Sequence, residues 1–262
     1  MKLNIKTTVL GTILVAATGQ FAFAADLDIT PAPAEVVDVE KRFYGKIYGG
    51  VAFVRDEDFD GTVTGPVLPG GAVVGAPFTV NLDSDAGFTV GGSVGYRFTD
   101  VDFGGVTPRI EFDVNYTSAS AGQGSAFAAG NQVFNGNQSL LFIGANGLLD
   151  FDPLGNGVIV PYVGGGVGVG LYNSDVAYFP AANPAVNVIL DSSEAAFAAQ
   201  AIVGAQYNFT DSLAFSVEGR YLRAFGLDAD RVFTTAPGPG LFGVAEGDFS
   251  AITINGGLTY RF

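Results

Sequence analysis

From residue 43 to residue 262, apolar and polar side chains alternate with a period of two in eight stretches. They lie near 43–54, 87–98, 107–117, 139–151, 159–172, 195–209, 213–225 and 249–262. Alternation of this kind predicts a strand with one apolar face. In the first stretch Phe43, Ile47, Val51 and Phe53 share a face, with Tyr44, Lys46 and Tyr48 opposite. The second sets Phe88, Val90, Val94, Tyr96 and Phe98 against Thr89, Ser93 and Arg97. The third sets Ile110, Phe112, Val114 and Tyr116 against Arg109, Glu111, Asp113 and Asn115. The fourth alternates least: Asn146 and Asp150 share a face with Leu140, Phe142 and Leu148. In the fifth, Val163, Val167, Val169 and Leu171 oppose a row of Gly164, Gly166, Gly168 and Gly170. The sixth sets Phe197, Val203, Tyr207 and Phe209 against Gln200, Gln206 and Asn208, and the seventh Phe215, Val217 and Tyr221 against Glu218 and Arg220. The last sets Ile252, Ile254, Leu258, Tyr260 and Phe262 against Thr253, Asn255, Thr259 and Arg261.

Each stretch is long enough to cross a bilayer at a tilt. The gaps are long after the odd stretches (55–86, 118–138, 173–194, 226–248) and short after the even ones (99–106, 152–158, 210–212). That rhythm predicts an all-β, eight-stranded antiparallel up-and-down barrel, with four long loops at one end and short turns at the other. Pro108 and Pro161 fall at strand starts, where a missing N–H is tolerated.

Period alone does not say which face meets lipid. A soluble barrel turns its apolar face inward, and a transmembrane barrel turns it outward. The aromatic residues favour the membrane. The even strands finish on Tyr96 and Phe98, Phe151, Tyr207 and Phe209, and Tyr260 and Phe262, and Phe43 begins the first strand at the same end. Such a ring is expected at a headgroup boundary. The glycine row points the same way. Exposed to water it would weaken a strand, but facing a narrow lumen it leaves room for long side chains from other strands. It is not a nucleotide-binding loop, because no G-x-G-x-x-G and no G-K-[ST] is present.

Composition adds exclusions. Hydrophobic residues make up 48% of the 262 residues and charged ones only 15%. After the leader no apolar run approaches the ~20 residues of a membrane helix. A net charge of −14 argues against nucleic acid. With no His and no Cys, no serine–histidine triad, cysteine nucleophile, usual zinc site or disulfide can be built. No catalytic, cofactor or metal residue is expected, and the chain is expected not to be an enzyme. The acidic run RDEDFDG (55–61) has carboxylates suited to Ca²⁺ or Mg²⁺ but not the EF-hand spacing, and is read as a solvated loop.

Residues 1–24 have a signal-peptide pattern: Lys2 and Lys6, a short apolar core at 9–18, and the small-x-small site Ala22-Phe23-Ala24. Residues 25–42 lack a period and are expected to be an extended periplasmic linker, so the barrel is assigned to 43–262.

A leader followed by an eight-strand meander that ends on Leu258, Tyr260 and Phe262 resembles the small outer-membrane β-barrel proteins of Gram-negative bacteria. The likeness is to the OmpA transmembrane-domain and opacity-protein type, including alphaproteobacterial surface antigens. The resemblance implies insertion into the outer membrane, with lipids, lipopolysaccharide and the assembly machinery as partners. It also implies that Leu258, Tyr260 and Phe262 form the assembly signal. Charged residues on the lumen face are implied to pair and plug the lumen: Lys46, Arg97, Arg109, Glu111, Asp113, Asp150, Glu218, Arg220 and Arg261. The expected role is structural: envelope support and display of surface loops. A surface adhesin acting through the acidic loops, or a narrow pore for small solutes, are the alternatives.

Overall fold

The computed structural model describes residues 42–55, 57–65, 74–126, 129–151, 153–154, 158–178, 188–233 and 240–262. The expected signal peptide, the linker up to residue 41 and residues 234–239 of the last expected loop lie outside them. Ten β segments follow in chain order. They are β1 (Phe43–Val54), β2 (Glu57–Val63), β3 (Pro77–Ser84), β4 (Ala86–Arg97), β5 (Val106–Ala126), β6 (Ala129–Phe151), β7 (Ile159–Tyr178), β8 (Val188–Asn208), β9 (Leu213–Phe233) and β10 (Gly240–Arg261).

Eight of these close a ring. β1 pairs with β4, β4 with β5, and β5 through β10 each with the next. β10 then returns to β1, from Tyr44↔Arg261 to Val54↔Ala251. All pairings are antiparallel, as an up-and-down barrel requires. β2 and β3 form a hairpin that continues β1 and β4 upward and takes their places in the ring, β2 beside β10 and β3 beside β5. The chain path is therefore eight long strands, the first two each interrupted once.

At one end the connections are short and held by their own side chains. The Asp102 carboxylate accepts the Gly105 and Val106 N–H groups, and the Thr210 hydroxyl accepts those of Ser212 and Leu213. These are the side-chain-to-backbone turns that Asp and Thr favour. At the other end most of what the sequence suggests is loop proves to be strand. Only residues 127–128 separate β5 from β6, and β9 runs to Phe233. The fold class stands, but the wall is taller than the sequence suggests.

The reason is a reversal of polarity from the lower to the upper part of the wall. In the lower half, towards the short turns, apolar residues face out: Ile47, Val51, Val90, Val94, Val163, Val203, Ile254 and Leu258 are all exposed. A belt of this height matches the ~9–11 residues a tilted strand needs to cross a bilayer. In the upper half the pattern inverts. Phe59, Val63, Phe78, Val80, Phe134, Val176, Ala229 and Ala245 face in and form an apolar cluster, while Asp58, Asp60, Asp228, Asp230 and Glu246 face out. The upper half is thus a soluble-type barrel stacked on a membrane-type one.

One register change is well defined. β9 carries an extra residue between Ala224 and Leu227, opposite Asp248. Phe225 and Gly226 are both exposed, and Gly226 has φ of 65°, a conformation glycine adopts without strain. Asp248 accepts the Gly226 N–H at 2.8 Å and pairs with Arg223, so the bulge leaves that donor satisfied. Beside it the β8–β9 ladder lapses between Asp191 and Ala198, and side chains bridge the seam. The Ser192 hydroxyl donates to the Asp228 carbonyl, and the Asp228 N–H donates to Glu194.

The two halves have separate cores, so the upper one should be removable alone. Phe78→Asp should open the β2–β3 hairpin to limited proteolysis while the lower ring keeps its different gel mobility with and without boiling. Loss of the mobility shift together with protection would show the halves to be one cooperative unit.

Candidate functional site

The lumen holds the buried charged residues among the described residues, and it is filled in layers. Eight strands enclose only enough room for side chains. Those side chains are placed by glycines. Tyr44 lies directly opposite Gly95, Tyr48 opposite Gly91 and Tyr162 opposite Gly204. Each ring covers its glycine: a Cβ added at Gly91 would sit 2.6 Å from Tyr48, and one at Gly204 2.6 Å from Tyr162. The Gly164–Gly170 row works the same way, leaving room for Leu148, Asn146 and Leu140 of β6. Glycine loses packing in a strand, and the aromatic ring laid over it restores that packing.

Between these rings runs a network of buried charge. Lys46 Nζ lies 3.2 Å from Glu111 and 3.3 Å from Glu218. The Arg220 guanidinium reaches Asp113 at 2.8 Å and Glu218 at 2.7 Å, and stacks over the Tyr48 ring at 4.0 Å. The tyrosine hydroxyls donate to the same carboxylates, Tyr44 to Glu111, Tyr48 to Asp113 and Tyr162 to Glu218, at 2.8–2.9 Å. Gln200 donates to Asp113 and to Asn146. Lower down, Asp150 lies 3.1 Å from both Arg97 and Arg109, and Arg109 stacks over Tyr162 at 4.4 Å. Buried charges persist only when paired and hydrogen-bonded, and this network supplies both.

Above it lies an apolar waist: Leu140, Phe142, Tyr172, Leu222, Leu227 and Phe249 with smaller neighbours, all buried. The Tyr172 hydroxyl donates to Gln138, whose amide reaches Ser84. The upper apolar cluster completes the column.

The residues singled out from sequence are placed as follows. Lys46, Arg109, Glu111, Asp113, Asp150, Glu218 and Arg220 are buried in the lumen, and Arg97 and Arg261 reach its short-turn mouth. Phe43, Phe151, Tyr207, Phe209, Tyr260 and Phe262 lie exposed on the outer face, with Tyr96 and Phe98 half-buried beside them. Their rings form contacts, Phe43–Tyr96 at 4.9 Å, Tyr96–Phe98 at 5.0 Å and Tyr207–Phe209 at 5.1 Å. Leu258 faces out above them. In the acidic run, Asp58 and Asp60 are exposed and bond Asn81 and Thr79 across the hairpin. Among the described residues, no group of three or more Asp and Glu is arranged to hold a metal.

Two features were not singled out from sequence. One is a second outer band of aromatics at the top of the belt, with Phe88 against Tyr116 and Phe197 stacked on Phe225. The other is the tyrosine–glycine pairing. Its signal is cross-strand register, which alternation within a strand cannot give.

Residues 30–262 match the family model described as the outer membrane protein beta-barrel domain. No curated protein matches. Among solved structures the chain is similar to Neisserial surface protein A (18% identity, 84% of this chain and 97% of that one, TM-score 0.37). It is also similar to OprG from Pseudomonas aeruginosa (15%, 85% and 98%, 0.48) and to the outer membrane protease OmpT from Escherichia coli (11%, 86% and 98%, 0.49).

Gly91→Val and Gly147→Val separate lumen packing from lipid contact. A side chain at Gly91 must displace Tyr48, whereas one at Gly147 meets nothing within 4 Å. Unfolding in urea should show Gly91→Val destabilised by about 1–3 kcal/mol and Gly147→Val changed by less than about 0.5 kcal/mol. Arg220→Met, which leaves the buried Asp113 without its cation, should cost about 3–5 kcal/mol.

Proposed function

The chain belongs to the outer-membrane β-barrel protein family, and we propose that it is a non-conducting, non-catalytic structural protein of the outer membrane. Its lower ring anchors in the bilayer, and its upper ring stands above the outer leaflet as a rigid display surface. The observation that carries this reading is the filled lumen: charge network, apolar waist and upper cluster follow one another as layers of buried side chains. A water-filled channel needs a polar interior throughout. The absence of His and Cys from the sequence supports a non-catalytic role. In this reading the partners are bilayer lipids and lipopolysaccharide on the outer belt, with the assembly machinery engaging the Leu258, Tyr260 and Phe262 face.

A second reading, surface interaction, has one observation in its favour. On the outer face of the upper ring Asp60, Glu246 and Asp228 lie directly opposite one another on three adjacent strands. Like charges in register destabilise a sheet. A protein that keeps such a row at its surface presents a field that attracts cationic partners.

Purified protein in a planar bilayer should give no discrete conductance steps. Regular steps would overturn the non-conducting reading. A variant carrying Asp60→Asn, Asp228→Asn and Glu246→Gln should insert and shift on boiling as the parent does. If it also loses binding to cationic peptides that the parent retains, the surface-interaction reading gains over the purely structural one.

A further inference from the structure

We propose that a groove on the outer face of the lower ring seats one acyl chain of a zwitterionic, amine-bearing phospholipid of the periplasmic leaflet. The proposal rests on the reading that bilayer lipids cover the lower belt, and it names one lipid and its place there.

The groove crosses from β1 over β4 and β5 to β6 and has a volume of about 580 Å³. Its floor is the row Tyr44, Gly95, Glu111 and Asn146, each paired to the next across the strands. Tyr44, Glu111 and Asn146 are buried towards the lumen, and Gly95 has no side chain, so the floor is bare backbone. One wall is the outward row Phe43, Tyr96 and Ile110, and the other is Val94 and Phe112. At β6 both walls drop, to Gly147 on one side and Ala145 on the other. Gly147 in turn faces Gly165 of β7, and a Cβ added at Gly147 meets nothing within 4 Å.

The course is oblique. Phe43 and Tyr96 lie at the short-turn ends of β1 and β4, whereas Ile110 and Gly147 lie further up β5 and β6. The groove thus climbs from the aromatic girdle, at headgroup level, into the hydrocarbon. Lipid tails are as apolar as the belt, so apolarity alone holds no chain in place. Contact does. A chain in the groove touches the floor and both walls, whereas one on a flat stretch of belt touches a single side.

The lower end fits a headgroup. The Arg42 guanidinium donates to the Tyr96 hydroxyl at 3.3 Å and to Asp100 at 2.6 Å. The Asp100 side chain is 68% exposed, so a cation and an anion stand side by side next to the groove. An exposed ion pair contributes little to folding, and a ligand can share it at small cost. The phosphate of a phospholipid suits Arg42, and a headgroup amine suits Asp100. A headgroup without an amine leaves Asp100 facing a phosphate.

The test reconstitutes the full barrel in vesicles of equal parts palmitoyl-oleoyl phosphatidylethanolamine and phosphatidylglycerol. The protein is then extracted in mild detergent and weighed by native mass spectrometry. The parent should keep one phosphatidylethanolamine. The double variant Ala145→Leu, Gly147→Leu fills the groove with apolar side chains. It should keep none and still shift on boiling. Gly219→Leu adds the same side chain elsewhere on the outer face, where its Cβ lies 3.8 Å from Val203. It should keep the lipid as the parent does. A lipid-free parent, retention by the double variant, or no preference for phosphatidylethanolamine would overturn the proposal. So would a parent dimer that the double variant converts to a monomer, since the occupant would then be a second copy. The reading beneath the proposal fails separately, if the parent does not insert into the vesicles at all.

Discussion

The closure of β1 onto β10 is the constraint from which the rest of the structure follows. Inside a bilayer no water can satisfy an exposed sheet edge, so each backbone N–H and C=O must find a partner within the wall. The continuous register from Tyr44↔Arg261 to Val54↔Ala251 removes the last two edges. Closing with only eight strands then sets the lumen width, and the width dictates what can fill it. Large side chains fit only where the facing wall carries none, which is why Tyr44, Tyr48 and Tyr162 each lie over a glycine. Those rings in turn bring hydroxyls to Glu111, Asp113 and Glu218, and the carboxylates hold Lys46 and Arg220. Backbone satisfaction, ring size, glycine placement and charge pairing form one chain of cause.

The same wall serves two solvents. Where lipid lies outside, apolar residues point out and the charges are buried. Where water lies outside, the carboxylates point out and Phe59, Phe78 and Phe134 are buried. The exchange is made mostly by residue type at unchanged phase: even positions face in along β6 from Phe134 to Asp150 and along β7 from Tyr162 to Val176. The inward phase changes between β1 and β2, at Asp85 between β3 and β4, and at the Phe225–Gly226 bulge in β9. An inserted residue shifts the side-chain phase of one strand by one, so at these places the inward positions change parity. The upper aromatic band, Phe88, Tyr116, Phe197 and Phe225, sits close to this level, as a boundary between lipid and water would require.

How much of this was legible in the sequence follows from the same physics. The lower strands alternate strongly because lipid demands apolar residues on every outward position, so β1 is read at its observed bounds. The upper strands hold small and polar residues in both phases. In SASAGQGSA, Ala119 and Ala121 face in and Ser118 and Ser120 face out, a contrast too weak to separate strand from loop. The lumen charges could be assigned to a face but not to partners, because pairing depends on the stagger between strands. Lys46 meets Glu218 from 172 positions away, a contact that no spacing rule encodes. The fourth stretch alternates poorly because β6 contributes Leu140, Phe142 and Leu148 to the lumen alongside Asn146 and Asp150. What looked like a defect of pattern is the share of β6 in the apolar waist, through Leu140 and Phe142, and in a smaller cluster where Leu148 meets Tyr162 and Ile202.

The central claim is that the column of side chains is continuous and dry between the charge network and the upper ring. The chain contains no cysteine, so a single one can report on any position. Ala251 sits in the waist, fully buried and facing in, and Asp228 faces water on the upper ring. In the folded protein a water-soluble maleimide should label Asp228→Cys rapidly and leave Ala251→Cys unmodified until urea unfolds the barrel. Labelling of Ala251→Cys at a rate comparable to Asp228→Cys would mean that water reaches the waist, and the plugged-barrel account would be wrong.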